Sequence, residues 1–435
     1  MSTHPTHPGT HPIDNDITLS TLSNGVRVIA IRVPYVATAS VAVFVRTGSA
    51  HVSRALNGIS HFVEHMLFKG TRTRDVRRIN LDAERLGAEV NAHTDKDHTA
   101  YYMHGMAGDA ATLLRMLGDI VLEPSFPADE LERERQVLLH ECTEDEEDPM
   151  STAFKLFDKA CFGLHPVAQS VIGPRHNIER LTRDDLMAYV RRQYSAGNLV
   201  IGAAGLIDPE AFVRDAEAVF GALPASAPNR VAPPAYRGGV ATRRLAGNSQ
   251  AHAVLGFAIP ALAEEEPAFT VAAAVFGEGM SSPLMDQIRE QRGLAYYAAC
   301  SADVFELSGQ FVVEASTAPG QLDELLVSVM RLLREHAASV NAVDLQRAQQ
   351  QLAVRRLRAH ERPYRRLEDA ALDLLARGSL HSRTEWLAGM QAVSAADVAA
   401  AFGRMLETGA SLALAGALPR AAGERARQIL GGAPG

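Results

Sequence analysis

The sequence predicts an α+β fold built twice, as two similar domains that each pair a β-sheet with flanking helices. Three observations carry this reading. Strand-like runs and helical segments alternate through residues 17–222 and again from residue 240 onward. Between them lies LPASAPNRVAPPAYRGG, residues 223–239, with four Pro and neither a helical nor a strand period, which marks a linker. Finally, RLGAEVNAHTDKDHTAYYMHG (85–105) is echoed by RGLAYYAACSADVFELSGQFV (292–312), each placing a paired hairpin after a helix. Such self-similarity is the mark of duplication. The expected division is a tail at 1–16, a domain at 17–222, the linker, and a second domain at 240–435.

The elements follow in order. The tail MSTHPTHPGTHPIDND repeats His-Pro three times, and proline at that density predicts an extended, disordered segment. It has no basic start followed by an apolar core, so a secretory signal is not expected. Strands are read at 25–32 and 37–47, the second alternating Val41, Val43 and Val45. Helices follow near 57–69, 76–87, 109–122 and 127–147, then a strand at 198–205 and a helix at 209–220. The second half opens with a strand at 251–259. Its helices fall near 263–276, 281–291, 319–338, 342–358 and 394–406, and its strands near 294–303 and 309–316.

Composition narrows the function. The 435 residues are 47% apolar and 22% charged, which provides for sizeable cores and excludes a disordered or collagen-like chain. The net charge is −8 with Lys and Arg dispersed, so no nucleic-acid partner is expected. The richest early apolar stretch, 26–45, is interrupted by Arg27, Arg32 and Pro34, whereas a membrane-spanning helix needs about 20 apolar residues. Cys142, Cys161 and Cys300 are too few and too scattered for a disulfide framework or an all-Cys zinc site. They read as reduced thiols in a cytoplasmic compartment.

The chemistry concentrates at His61-Phe-Val-Glu64-His65. Asn57-Gly58 offers a helix start and Lys69-Gly70 a stop. Four residues apart on a helix, His61 and His65 share one face, a good bite for one zinc ion. Glu64 shares nearly the same face and is placed to hold a metal-activated water. Phe62, Val63, Met66, Leu67 and Phe68 make the rest of the helix apolar, so it is expected to be buried. Two imidazoles and a carboxylate are expensive to bury together unless a cation satisfies them.

A zinc hydrolase site wants a third protein ligand. Residues 127–147 read as an acidic helix ended by Asp148-Pro149. Most of its acids, including 144–148, fit a solvated face. Leu131, Glu134, Leu138 and Glu141 instead form one stripe, two carboxylates among leucines. Glu141 is the choice for third ligand, with Glu134 behind it orienting a His or a water. His93, His98, His104 and His140 compete on residue chemistry alone.

The H-x-x-E-H helix, followed by E-R-x-V-x-x-x-E (Glu134 to Glu141), resembles the pitrilysin/insulinase family of zinc peptidases. That family includes insulin-degrading enzyme, mitochondrial processing peptidase and short bacterial processing peptidases. The similarity spans nearly the whole chain and is greatest to the short bacterial members, in which one chain is half of a clamshell. The resemblance implies one zinc per chain held by His61, His65 and Glu141, with Glu64 as base and Glu134 as accessory acid. EVNAHTDKDHTAYY resembles the family's substrate-binding edge strand, where Asn91 and Ala92 pair with an extended peptide; the family often has Tyr at the position of His93. GEGMSSPLMDQIREQRGLAYY (277–297) resembles the family segment that supplies a paired Arg and Tyr, here Arg289 and Tyr296, with Pro283 where many members have Arg.

The implied activity is zinc-dependent endopeptidase action on unfolded peptides or short polypeptides. The implied partner is a second copy, or a related subunit in a heterodimer. Ser151 and Lys155 stand where the mitochondrial members use acids to read a substrate arginine, so that preference is not expected. Two rival readings are a non-catalytic scaffold subunit of the same fold and a peptide-binding module with structural zinc.

Overall fold

The computed structural model describes residues 11–12 and 16–431. The rest of the tail expected to be disordered, 1–10 and 13–15, lies outside the described residues. Within it His11–Pro12 is a two-residue strand, β1, paired antiparallel with β2 (Ile17–Thr21). The chain forms two compact units. One takes residues 1–140, 170–231 and 358–383, the other 141–169, 232–357 and 384–435.

The first unit is built on β1, β2, β3 (Arg27–Arg32), β4 (Thr38–Val45), β5 (Glu89–Thr94), β6 (Thr99–Met106) and β7 (Leu199–Gly205). Their order is β1-β2-β3-β7-β4-β6-β5, with β3 and β7 parallel and the other pairs antiparallel. The central β4 and β7 are buried almost throughout, so the alternation of Val41, Val43 and Val45 marks a strand but not an exposed face. The unit also takes in a helix from late in the sequence, Pro363–Arg377, whose Leu367, Ala371 and Leu374 join Ile29, Ile31, Phe44 and Val200 in one core. It seats on a glycine: a Cβ on Gly202 of β7 would come 2.3 Å from Leu367 Cδ1.

The second unit is built on β8 (Gly239–Arg244), β9 (Ala251–Ile259), β10 (Tyr297–Val304), β11 (Gly309–Thr317) and β12 (Ser411–Gly416). The order is β10-β11-β9-β12-β8, with β8 and β12 parallel and the rest antiparallel. This repeats β5-β6-β4-β7-β3 strand for strand, in pairing direction as well as in order. The expected duplication is thus written in the hydrogen bonding. Reciprocally, a helix from the first half, Pro149–Phe162, packs on β8, β9 and β12. It too seats on a glycine: a Cβ on Gly256 would lie 2.7 Å from Phe157 Cζ and 2.2 Å from the Phe311 carbonyl oxygen.

The repeat extends to helix ends. Thr182 and Asp185 form a reciprocal capping box on Arg183–Gln193, and Ser394 and Asp397 form one on Ala395–Thr408. In each unit the capped helix is the last before the central returning strand, β7 or β12.

Several elements differ from the sequence expectation. The strands β2, β8 and β12, the two exchanged helices, and Arg175–Arg180, Arg183–Gln193, Arg383–Ala392 and Ala422–Gly431 are additional. The helix expected at 263–276 begins at Pro267, where the missing N–H is harmless at a first helical position, and Leu262–Glu264 is a separate 3-10 turn. The segment 281–291 contains a seven-residue π-helix, Met285–Gln291. No helix among the described residues is long and apolar enough to cross a membrane.

The glycine seats give a direct test. Gly202→Ala and Gly256→Ala are each expected to destabilise the protein by about 1–3 kcal/mol through overpacking, read as a fall in denaturation midpoint. Gly108→Ala, where an added Cβ meets nothing within 4 Å, should leave the midpoint nearly unchanged.

Candidate metal centre

The motif helix runs Ile59–Leu67. It starts at Gly58, whose φ of 99° lies in the left-handed region and whose missing side chain admits Ile178 Cδ1 and the Ile172 carbonyl. Ile59, Phe62, Val63, Met66 and Leu67 are fully buried. His61, Glu64 and His65 alone are half-buried. One polar stripe on an otherwise buried helix is therefore left accessible, as the i, i+3, i+4 spacing requires. The rings of His61 and His65 meet edge to face with centroids 4.7 Å apart.

The acidic helix runs Ala128–Glu147. Leu131, Glu134, Leu138 and Cys142 are buried along one side, with half-buried Glu141 beside them, so the expected stripe is real. Buried Arg135 anchors this helix: its guanidinium donates to the carbonyls of Ile178 and Leu181 and lies 5.5 Å from the centre of the Phe62 ring on the motif helix. Two of the distal acids are not simply solvated. Asp145 accepts from Lys155 Nζ at 2.5 Å, and Asp148 caps the Pro149–Phe162 helix by accepting from the Ser151 N–H.

The two helices bring His61, His65 and Glu141 together, with one donor atom from each inside 4.8 Å of the others. The competing imidazoles do not join this group. His140 is exposed, and His93, His98 and His104 belong to the β5–β6 hairpin. The donor set suits a zinc ion. Two imidazoles and a carboxylate are ordinary ligands for it, and bonds of about 2.0–2.2 Å fit a cluster of this size after slight closure. Burial, helped by the field of His65, pushes the His61 imidazole down to about 3. His61 is therefore neutral with a lone pair to give.

Behind the donors stands Glu134, 7% exposed. Its Oε2 accepts from His65 Nδ1 at 3.1 Å, and its Oε1 pairs with Lys69 Nζ at 2.7 Å. With the proton held on Nδ1, His65 can present Nε2 to a metal, the usual carboxylate–histidine arrangement of zinc sites. Lys69, read from sequence only as a helix stop, thus holds the carboxylate that holds His65. Its i+4 spacing from His65 was the available signal. Sequence reasoning also missed a buried hydroxyl network. Tyr101 and Tyr194 share a 2.7 Å hydrogen bond, and Tyr189 donates to Ser60 on the motif helix at 2.9 Å. Burial first, and the Tyr and Glu64 charges after it, push the Tyr101 and Tyr194 phenols up, so both stay protonated.

Asn91 and Ala92 lie on β5, at the end of the strand order. The Asp95 N–H donates to the His98 carbonyl at 2.8 Å, which closes the hairpin and sets the alternation of the ladder. Counting from that pair through the β5–β6 register, the main-chain groups of Val90, Ala92 and Thr94 point away from β6. The Asn91 side-chain oxygen accepts from the Ala92 N–H at 2.8 Å.

Arg289 and Tyr296 belong to the second unit. Arg289 sits on the π-helix, a feature frequent at functional sites. Its guanidinium carbon lies 5.4 Å from the centre of the Tyr296 ring, which is 83% exposed.

Comparison with known proteins agrees with this anatomy. A family model described as insulinase (peptidase family M16) matches residues 27–175, and one described as peptidase M16 inactive domain matches residues 180–352. A protein of Mycobacterium leprae called an uncharacterized zinc protease is 34% identical over 78% of this chain and 77% of its own. One of Rickettsia felis with the same description is 30% identical over 83% and 88%. Among solved structures, a protease from Helicobacter pylori superposes with a TM-score of 0.85 at 19% identity, covering 94% of this chain and 99% of its own. A peptidase M16 inactive domain from Pseudomonas fluorescens gives 0.84 at 21%, covering 93% and 99%. At those identities the structures speak for the fold alone. With both domain models matched in succession and relatives alike over most of their length, the chain belongs to the peptidase M16 (insulinase) family.

Proposed function

We propose that this protein is a zinc-dependent endopeptidase that hydrolyses unfolded peptides or short polypeptides, with one zinc ion per chain. The observation that carries this is the convergence of His61, His65 and Glu141 beside Glu64 on the same helix stripe. The relatives' description as zinc proteases supports it. A zinc ion bound by those three residues supplies Lewis acidity, lowering the pKa of water and polarising a peptide carbonyl. Glu64 takes the proton of the attacking water and delivers it to the leaving amine. Glu134 and Lys69 hold His65 in the tautomer the site needs. Arg289 and Tyr296 donate hydrogen bonds toward the carbonyl or the developing oxyanion, and their stacking limits the freedom of both.

The substrate adds as a strand along the outward-facing main chain of β5, around Asn91 and Ala92. Main-chain pairing tolerates many sequences, so selection rests on size and unfoldedness. Because one chain carries both the metal donors and the Arg–Tyr pair, a homodimer with composite sites suffices, and a heterodimer with a related subunit is the other arrangement. The three cysteines form no disulfide with one another and two of them are buried, which suits a reducing cytoplasm.

Glu64→Gln should retain zinc by metal analysis yet lose cleavage of a quenched fluorescent peptide by about 10²–10⁴-fold or more. Full activity in that variant refutes the base. Wild-type protein that binds zinc without cleaving indicates a binding module, and protein that does neither indicates a scaffold. Lys69→Met should weaken zinc affinity, measured against a competing chelator, by about 10–100-fold as expected for loss of support behind a ligand. Lys69→Arg should recover most of that loss.

A further inference from the structure

The β5–β6 hairpin carries a second pair of imidazoles that the proposed reaction does not use. His93 on β5 and His98, just before β6, turn their Nε2 atoms toward each other at 3.2 Å. Asp97 Oδ1 accepts from His98 Nδ1 at 2.8 Å. That bond keeps the proton on Nδ1, so His98 Nε2 accepts from His93 Nε2–H, and a cation would take the place of that shared proton. Glu368, on the Pro363–Arg377 helix, places Oε1 3.5 Å from the same His93 Nε2. His98, Asp97 and Glu368 are each less than one-tenth exposed, while the His93 side chain is 35% exposed and opens the group to solvent.

We propose that His93 and His98, completed by Glu368, form a second binding site for a borderline divalent cation such as Zn²⁺, weaker than the site at His61, His65 and Glu141. Two imidazole nitrogens sharing one tetrahedral zinc at about 2.0–2.1 Å stand roughly 3.3–3.4 Å apart. The observed separation is close to this bite. Asp97 supports His98 as Glu134 supports His65, so the carboxylate–histidine device occurs twice in this unit. The charges acting on the pair are the carboxylates of Asp95, Asp97 and Glu368, opposed by Arg365, which pairs with Glu368 Oε2 at 2.5 Å. That balance favours a dication. Imidazole donors select Zn²⁺, Cu²⁺ or Ni²⁺ over Mg²⁺ and Ca²⁺. Glu368 must swing away from Arg365 and toward His98 to complete the set, since among the described residues only His61, His65 and Glu141 already bring three donors within 4.8 Å of one another, which makes this site the weaker. Occupancy would tie β5 to the helix carrying Glu368, one residue beyond Ala92. Zinc beyond one equivalent should therefore also depress peptide cleavage, a corollary that alone rests on the function proposed above.

The test is a Zn²⁺ titration of full-length apo-protein in which His4, His7 and His11 are replaced by Asn, so that the tail contributes nothing. Two equivalents are expected, one lost in His93→Phe and the other lost in His61→Ala; Mg²⁺ should give no second equivalent. His93→Phe keeps an aromatic ring at a partly exposed position and so preserves the strand, and His98→Asn should behave alike. A single equivalent before substitution, or a second equivalent that persists in His93→Phe, overturns the proposal. Failure of His61→Ala to remove an equivalent would instead count against the first site. Crystals soaked in ZnCl₂ should show an anomalous peak between the two Nε2 atoms, and its absence at full occupancy of the first site would likewise overturn the second.

Discussion

A short helix buried on every side but one is the constraint on which this molecule turns. Ile59, Phe62, Val63, Met66 and Leu67 commit it to the interior, and the i, i+3, i+4 geometry then leaves His61, Glu64 and His65 at the one accessible stripe. Partial burial works in favour of the chemistry. It keeps His61 neutral, and it leaves the Glu134 side chain to find its partners in Lys69 and His65 rather than in water.

The duplicated frame shows how local that chemistry is. Both sheets share one order and one pattern of parallel and antiparallel pairing. In the second unit the helix that follows β9, Pro267–Gly277, stands where the motif helix follows β4. Its residues Val271 to Phe276 are all buried and apolar. The same scaffold position is thus a plain packing helix in one copy and a donor-bearing helix in the other. Packing alone is satisfied by either.

Much of this was legible in the sequence because the relevant signals are short-range and periodic. The H-x-x-E-H spacing, the 3–4–3 stripe from Leu131 to Glu141 and the alternation of Val41, Val43 and Val45 need only local geometry. What escaped needed distance. The helices Pro149–Phe162 and Pro363–Arg377 are exchanged between the units, and no local pattern says which sheet a helix will cover. Strand β8 is mostly exposed and carries little alternation, and β12 is a small apolar run that a helix could equally claim. Lys69 looked like a terminator because its partner, Glu134, lies on another helix. The meeting of Tyr101 with Tyr194 joins a strand to a segment 93 positions away.

The hydrogen bond between the Asn91 side chain and the Ala92 amide bears on how β5 meets other chains. A sheet margin with vacant donors invites any passing extended segment, including a neighbouring copy. Here one such donor is already engaged by the preceding residue, so a newcomer must first evict that oxygen and gains nothing from a single contact. Segments able to make several pairings at once would outweigh that cost, whereas fleeting or ill-matched ones would not. One asparagine would thus raise the threshold for pairing along this margin.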